Sequence, residues 1–443
     1  MRMTFKKPAS FFSFLALVVG LGAAVCPGGR AQAQAPAATD QTLVEHGAYV
    51  AVLGDCVACH TAQGGRPYAG GLPIASPIGT IYSTNITPDR ETGIGGYSYE
   101  DFARAVRRGI RRDGKTLYPA MPYPDFAHIS DSDMHALYAF FMSGLKPVHA
   151  PNRAADISWP LSMRWPLAWW RWIFAPNVQP ASASMGSDAL ADRGAYLVEG
   201  PGHCGTCHTP RGMALQQKAL SPRDGTAFLA GGQIDNYTAN SLRGDGLTGL
   251  GSWREEDIVR FLRSGRNQHA AVFGGMADVV FQSTQHMSDA DLQAIAHFLK
   301  TLPATKSGPA FSYDQAVAKE LFVGNVGRRG ALTYINNCAA CHRTSGNGYD
   351  DTFPALANNP VVNAADPSSL LHIVLIGGTI PSTASEPTHF TMPPFGDRLS
   401  DQEVADVVTF IRSSWGNQAS AVSAEDVAKF RKEIAPSPVK KTL

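Results

Sequence analysis

The chain of 443 residues carries almost no net charge, +1 with histidine neutral. Nothing in that balance points to nucleic acid or a strongly anionic partner. The apolar run near its start, Phe11 to Val25, has about 15 residues, short of the roughly 20 a bilayer span needs. Cysteine is scarce as well. Of seven, six fall in three short motifs and the seventh is Cys26, so no second C-x-x-C remains to complete a zinc site around any of them. A short internal period is also missing, which excludes a solenoid. Glycine (43) and proline (30) are abundant and point to many loops between short elements. A hydrophobic content of 44% is ordinary for a chain that buries a core. The length suits about three domains of roughly 100–150 residues.

The three motifs are Cys56-Val57-Ala58-Cys59-His60, Cys204-Gly205-Thr206-Cys207-His208 and Cys338-Ala339-Ala340-Cys341-His342. Each is C-x-x-C-H, the attachment pattern of a c-type haem. The thiols of Cys56, Cys59, Cys204, Cys207, Cys338 and Cys341 bond the haem edge. His60, His208 and His342 then sit beneath the iron as proximal ligands.

The N-terminus reads as a signal peptide over residues 1–33. Arg2, Lys6 and Lys7 precede the apolar run, and Ala31-Gln32-Ala33 offers an A-x-A cleavage site. Cys26 leaves with it; as a lipid anchor it is disfavoured by the bulk of Val25. Export fits haem attachment outside the bacterial cytoplasm.

From Gln41 onward one pattern recurs three times. A helical stretch leads into each motif: Val44 to Val50, Ala191 to Leu197, and Gly330 to Tyr334. A Gly/Pro-rich loop follows, with Thr84, Asn240 and Pro354 at similar points. Helices are expected over Tyr99 to Arg108, Glu255 to Ser264 and Ser368 to Ile376. Each repeat closes with an amphipathic helix opened by an apparent capping box: Ser130 with Asp133, Ser288 with Asp291, Ser400 with Glu403. Apolar positions then run i, i+3, i+4, i+7 from Met134, Leu292 and Val404 and form a core face. The steps from Cys56 to Cys204 and from Cys204 to Cys338 are far longer than any solenoid unit, so whole domains repeat. The expected fold class is mainly α. Three tandem class I cytochrome c domains span 40–150, 188–305 and 306–417. A Trp-rich linker occupies 151–187 and a C-terminal tail 418–443.

A sixth ligand decides whether such an iron carries electrons or activates a small molecule. Methionine opposite histidine also raises the potential. Met121 and Met392 each stand beside proline, at nearly equal distances before the capping serines Ser130 and Ser400. In the second repeat Met276 stands slightly farther ahead of Ser288, and Met287 competes from directly before that serine. Met276 matches the other two repeats better.

Five of the seven tryptophans crowd into one short stretch: Trp159, Trp165, Trp169, Trp170 and Trp172, with Arg164 and Arg171 among them. Three readings stand: contact with a membrane interface near a quinone, docking of a partner subunit, or packing between domains.

Several segments carry a family resemblance. They include Gly47-Ala48-Tyr49-Val50, the run Ser76 to Asp89, the run Asp156 to Leu167, Gly200-Pro201-Gly202-His203-Cys204, His208 to Gly212, and Ala271-Val272-Phe273-Gly274-Gly275-Met276. With the three motifs they resemble the tri-haem cytochrome c subunits of membrane-bound periplasmic dehydrogenases, above all of quinoprotein alcohol dehydrogenases. Related subunits serve gluconate, sorbitol, fructose and aldehyde dehydrogenases. The likeness covers nearly the whole mature chain. It implies three haem c groups and no catalytic residue on this chain. A large partner subunit would oxidise the substrate with PQQ, or with flavin in some relatives, and a small third subunit has a place beside it. Ubiquinone is the implied acceptor. The implied location is the periplasmic side of the bacterial cytoplasmic membrane, with peripheral attachment. A self-contained haem peroxidase, which needs an iron with one open side, and a freely diffusing periplasmic carrier are the competing functions.

Overall fold

The computed structural model describes residues 38–177 and 188–434, apart from 235, 307 and 309. The expected signal peptide with Cys26, the stretch around residue 180 where the linker ends, and residues 435–443 lie outside the described residues. Within them the architecture is mainly α, built of short helices and long loops with three small antiparallel sheets.

A leading helix runs toward each motif: Ala38–Leu53, Ala189–Glu199 and Ala331–Asn337. A single helical turn then carries the cysteine motif, at Cys56–Cys59, Gly205–His208 and Ala339–His342. The middle helices run Tyr99–Arg108, Glu255–Ser264 and Ser368–Ile376, with the bounds the sequence indicates. They stop at Gly109, Gly265 and Gly377, all of positive φ, the C-terminal stop that glycine adopts without strain. The closing helices are Asp131–Ala139, which continues as a π-helical turn Phe140–Gly144, then Asp289–Thr301 and Asp401–Arg412. Their predicted apolar faces are buried, apart from the half-buried Tyr138. Each large side chain so placed contributes about 1.5–3 kcal/mol.

Leading and closing helices cross in backbone contact. A Cβ on Gly47 would lie 1.9 Å from the Ala136 carbonyl oxygen. On Gly194 it would lie 2.0 Å from that of Ala294, and on Gly330 2.2 Å from that of Asp406. No other residue fits at these crossings, so the same glycine recurs in all three repeats.

The caps depart from expectation. Ser130, Ser288 and Ser400 do accept from the backbone N–H three residues on. Only Ser400 forms the reciprocal box, its N–H donating to Glu403 at 2.8 Å. In the first two repeats a tyrosine from the other repeat stands between serine and acid. The Tyr49 hydroxyl accepts from Ser288 N–H at 3.0 Å and donates to Asp291 at 2.7 Å. Tyr196 does the same between Ser130 N–H and Asp133. Tyr49 and Tyr196 occupy equivalent positions after Gly47 and Gly194, so the seam is a reciprocal exchange about a pseudo-twofold axis, the arrangement of an isologous interface. In the third repeat Leu332 holds that position and is exposed, and Glu403 closes its own box.

The seam between second and third repeats is of another kind. Thr238 N–H donates to Ser369 Oγ, which returns the bond to the Thr238 carbonyl. Arg266, buried at its base, pairs with Glu386 at 3.1 Å.

Two further segments differ from expectation. The linker begins as structure of the first repeat, because Asp156–Ile157 pairs with Gly79–Thr80 at the edge of the Pro73–Ser76 and Gly79–Tyr82 hairpin. The expected tail folds back over its described part. Helix Ala424–Ile434 places Val427 and Phe430 in the same apolar cluster as Val407, Val408 and Leu371.

Candidate haem sites

The third repeat holds a cavity of about 180 Å³, open at its mouth. Cys338, Cys341 and His342 contribute to its wall, and so does Met392. The remaining lining is apolar or uncharged, including Val362, Leu370, Val374 and Phe395. Met392 is held by a two-residue ladder, Gly378–Thr379 against Thr391–Met392, in place of the loop expected from sequence. Val272 and Phe273 of the second repeat complete the wall.

The motif histidines are fixed in one way. His60 Nδ1 is 2.7 Å from the Thr84 carbonyl, His208 Nδ1 is 2.7 Å from that of Asn240, and His342 Nδ1 is 2.9 Å from that of Pro354. A carbonyl only accepts, so Nδ1 carries the hydrogen and Nε2 is the nitrogen left to bind a metal. Burial holds all three imidazoles below their usual range, and the carbonyl bonds offset only part of that. They are therefore neutral ligands near pH 7. These anchors lie 24, 32 and 12 residues from their histidines. Their sequence signal was the alignment of the loops at Thr84, Asn240 and Pro354; their role was not legible.

The six motif cysteines form no disulfide. Burial pushes the thiols of Cys56, Cys204 and Cys338 up to about 12, and that of Cys59 up to about 11. Among the described residues no three His, Cys, Asp or Glu side chains converge as a metal cluster would require. The donor set thus fits haem held through two sulfurs, with one histidine nitrogen free and an apolar cavity around it.

Met121 packs, half-buried, against the apolar cluster of the first repeat. Met276 lies in the first turn of helix Gly275–Gln282, half-buried, where a loop was expected. Its competitor Met287 is 8% exposed within the core of the second repeat, among Leu292 and Ile295, and so has a packing role of its own. Asp278 of that same helix faces Asp55, which directly precedes Cys56. Burial first, and Asp278 second, raise the Asp55 carboxyl to about 8.

The tryptophans divide. Helix Trp165–Phe174 presents Trp165, Trp169, Trp172 and Ile173 outward at i, i+4, i+7 and i+8, all 59% exposed or more. Trp159 is 79% exposed nearby in sequence. Trp170 turns inward, stacks edge-on against Tyr123 and donates its indole N–H to the Ala214 carbonyl at 2.7 Å. Trp170 therefore packs between repeats, and the other four do not. No described helix is long and apolar enough to cross a membrane.

The cytochrome c family matches residues 191–303 and 327–415. The chain is 55% identical over 423 residues to the "Alcohol dehydrogenase (quinone), cytochrome c subunit" of Gluconobacter oxydans (strain 621H), covering 95% of this chain and 88% of that one. It is also 55% identical over 399 residues to the "Gluconate 2-dehydrogenase cytochrome c subunit" of Pantoea cypripedii, covering 89% and 90%. The "Fructose dehydrogenase cytochrome subunit" of Gluconobacter japonicus is 35% identical over 417 residues, covering 89% and 84%. The chain belongs to this family of dehydrogenase cytochrome c subunits.

Proposed function

We propose, with that membership as the premise, that the chain is the electron-transfer subunit of a quinone-linked alcohol dehydrogenase complex. In this reading domains 40–150, 188–305 and 306–417 each bind one haem c. Cys56 and Cys59, Cys204 and Cys207, and Cys338 and Cys341 supply the thioethers. His60 with Met121, His208 with Met276, and His342 with Met392 are the residues that would hold the iron. Each haem, when bound, would supply a one-electron carrier. The protein holds each histidine in one tautomer, keeps water from the cavity walls and sets ligand identity. A peroxidase would need an iron with an open side, and a methionine is available in every repeat. The observation that carries the reading is the repeated Nδ1 anchor, which prepares His60, His208 and His342 alike for iron.

The donor is a large partner subunit bearing PQQ, with a small third subunit beside it, and the acceptor is ubiquinone. The chain is exported through the signal peptide 1–33. The outward stripe of Trp165, Trp169 and Trp172, with Trp159, seats it on the periplasmic face of the membrane, where indole rings favour the headgroup level. The equal identity to a gluconate 2-dehydrogenase subunit supports a second reading, in which the partner carries flavin and oxidises gluconate.

The test is the complex purified from membranes. Reduction of the haem spectrum by a primary alcohol, with a copurifying PQQ subunit, is expected. Reduction by gluconate alone, with a flavin subunit, moves the assignment to the second reading. A wholly soluble protein with no dehydrogenase attached overturns both.

A further inference from the structure

The helix that carries the outward tryptophan stripe does not stand alone. A tight hairpin of the second repeat packs beside it. Arg211 pairs with Gln217 in an antiparallel bridge, and Gly212 N–H donates to the Gln216 carbonyl at 2.8 Å. Arg211 braces the turn, donating to the carbonyls of Leu215 and Thr206, both at 2.7 Å. At the tip Met213 is as exposed as in an extended chain, and Leu215 is exposed as well. Trp170 joins the two elements through its indole N–H on the Ala214 carbonyl. Beneath them Asp125 of the first repeat accepts from Gln217 Nε2 at 2.7 Å and from Thr206 Oγ1 at 3.4 Å. The space enclosed there is about 20 Å³, room for one water. Helix and hairpin therefore form one braced surface, with the Met213 tip held outward.

The charged groups on this surface are of one sign. Residues 158–177 and 209–220 contain Arg164, Arg171, Arg211 and Lys218 and no Asp or Glu, in a chain that is nearly neutral as a whole. Among the described residues none of these four cations forms an ion pair. The surface is thus apolar at its outermost groups and cationic beside them. Trp165, Trp169, Trp172 and Met213 protrude rather than line a groove. A protein partner would need a matching hollow for each. A bilayer interface yields around them, takes indole at headgroup depth and offers anionic phosphates to the cations.

We propose that the hairpin tip Met213–Leu215 is a second membrane-inserted element beside the tryptophan helix, and that the two together bind an anionic phospholipid surface. The inference rests on the proposed seating of the stripe on the membrane. A single helix of 10 residues leaves the chain free to roll about the helix axis. A second contact beside it, from another repeat, removes that freedom and fixes the tilt of the chain on the bilayer.

The experiment is flotation of the haem-loaded chain with vesicles of phosphatidylcholine, alone or mixed with phosphatidylglycerol, haem absorbance reporting the bound fraction. A photoactivatable phosphatidylglycerol in the mixed vesicles maps the contact after digestion. Adducts are expected on residues 165–174 and on residues 212–218. Lys218→Gln should weaken partition to the mixed vesicles about fivefold, the share of one basic side chain near such a surface, and leave neutral vesicles unchanged. Met213→Asp should weaken it about tenfold or more, as loss of one buried apolar side chain does. Both side chains are exposed, so both variants keep the fold. Adducts on the helix alone, with Met213→Asp bound as the parent is, overturn the hairpin element and leave the seat of the stripe intact. Equal binding to both vesicle types overturns the preference for anionic lipid. Adducts on neither element, with both peptides shielded by a copurified dehydrogenase subunit, assign the surface to that partner and overturn the membrane seat itself.

Discussion

Tyr49 donates to Asp291 across 242 positions of sequence, at 2.7 Å, while accepting from the N–H of Ser288. Tyr196 repeats the relation in the opposite sense with Asp133 and Ser130. The two bonds tie the first repeat to the second at the N-termini of both closing helices. Burial alone would raise the Asp291 carboxyl. Hydrogen bonds from Arg193 and Tyr49 outweigh it and hold the group below its usual range, so Tyr49 meets a charged acceptor.

Tyr49→Phe should therefore cost about 1.5–3 kcal/mol, the range for a hydrogen bond to a charged group. Tyr196→Phe should cost a similar amount at the mirror position. Urea unfolding of the haem-loaded chain reads both. A loss below about 0.5 kcal/mol in both variants would show that the seam rests on its apolar contacts alone.

Gly47→Ala, Gly194→Ala and Gly330→Ala each place a methyl within 2.2 Å of a carbonyl oxygen on the facing helix. The helices must separate, at a cost at or above the roughly 1–3 kcal/mol of ordinary overpacking. The expected result is poor accumulation of haem-loaded protein, followed by haem staining after denaturing electrophoresis. Normal yield from all three would contradict the close crossing.

Met121→Leu, Met276→Leu and Met392→Leu should each leave all haem covalently attached and lower one midpoint potential, because the thioether stabilises ferrous iron. Met287→Leu is the control. It should cost less than about 1.5 kcal/mol, as a volume-conserving core exchange does, and leave every potential in place. If Met287→Leu shifts a potential and Met276→Leu does not, the second ligand is Met287.

Glu199 is 6% exposed, and burial raises its carboxyl to about 7 from 4.5, Arg223 offsetting part of the effect. The folded state thus binds a proton that the unfolded state releases at lower pH. The stability from this group is complete below about pH 4.5 and is lost as pH rises through about 7, in total about 3 kcal/mol. Glu199→Gln should flatten the fall in stability between pH 5 and 8 seen in denaturant titrations. An unchanged slope would mean that Glu199 is not the titrating group.

Much was legible because it is local. A haem motif is five consecutive residues, a serine cap with its acid spans four, and the faces led by Met134, Leu292 and Val404 follow from the 3.6-residue turn. These fixed the helix bounds, the repeat and the ligand candidates without any fold in hand. Asp133 and Asp291 show where that ends. Each stands at the third position after a cap serine, as Glu403 does, yet its hydrogen is supplied from another repeat by a tyrosine that no short-range rule connects to it.

The sequence by itself determined that this chain carries three C-x-x-C-H sites in three related helical repeats, since covalent attachment and helix periodicity depend only on near neighbours. Only the tertiary structure decided which carbonyl fixes each histidine and that Trp170 turns inward while Trp165, Trp169 and Trp172 do not. It alone placed Asp125 beside Thr206 and the Ala424–Ile434 helix over the third core. Those outcomes depend on how whole repeats dock, and docking is set by surface fit between residues far apart in the chain.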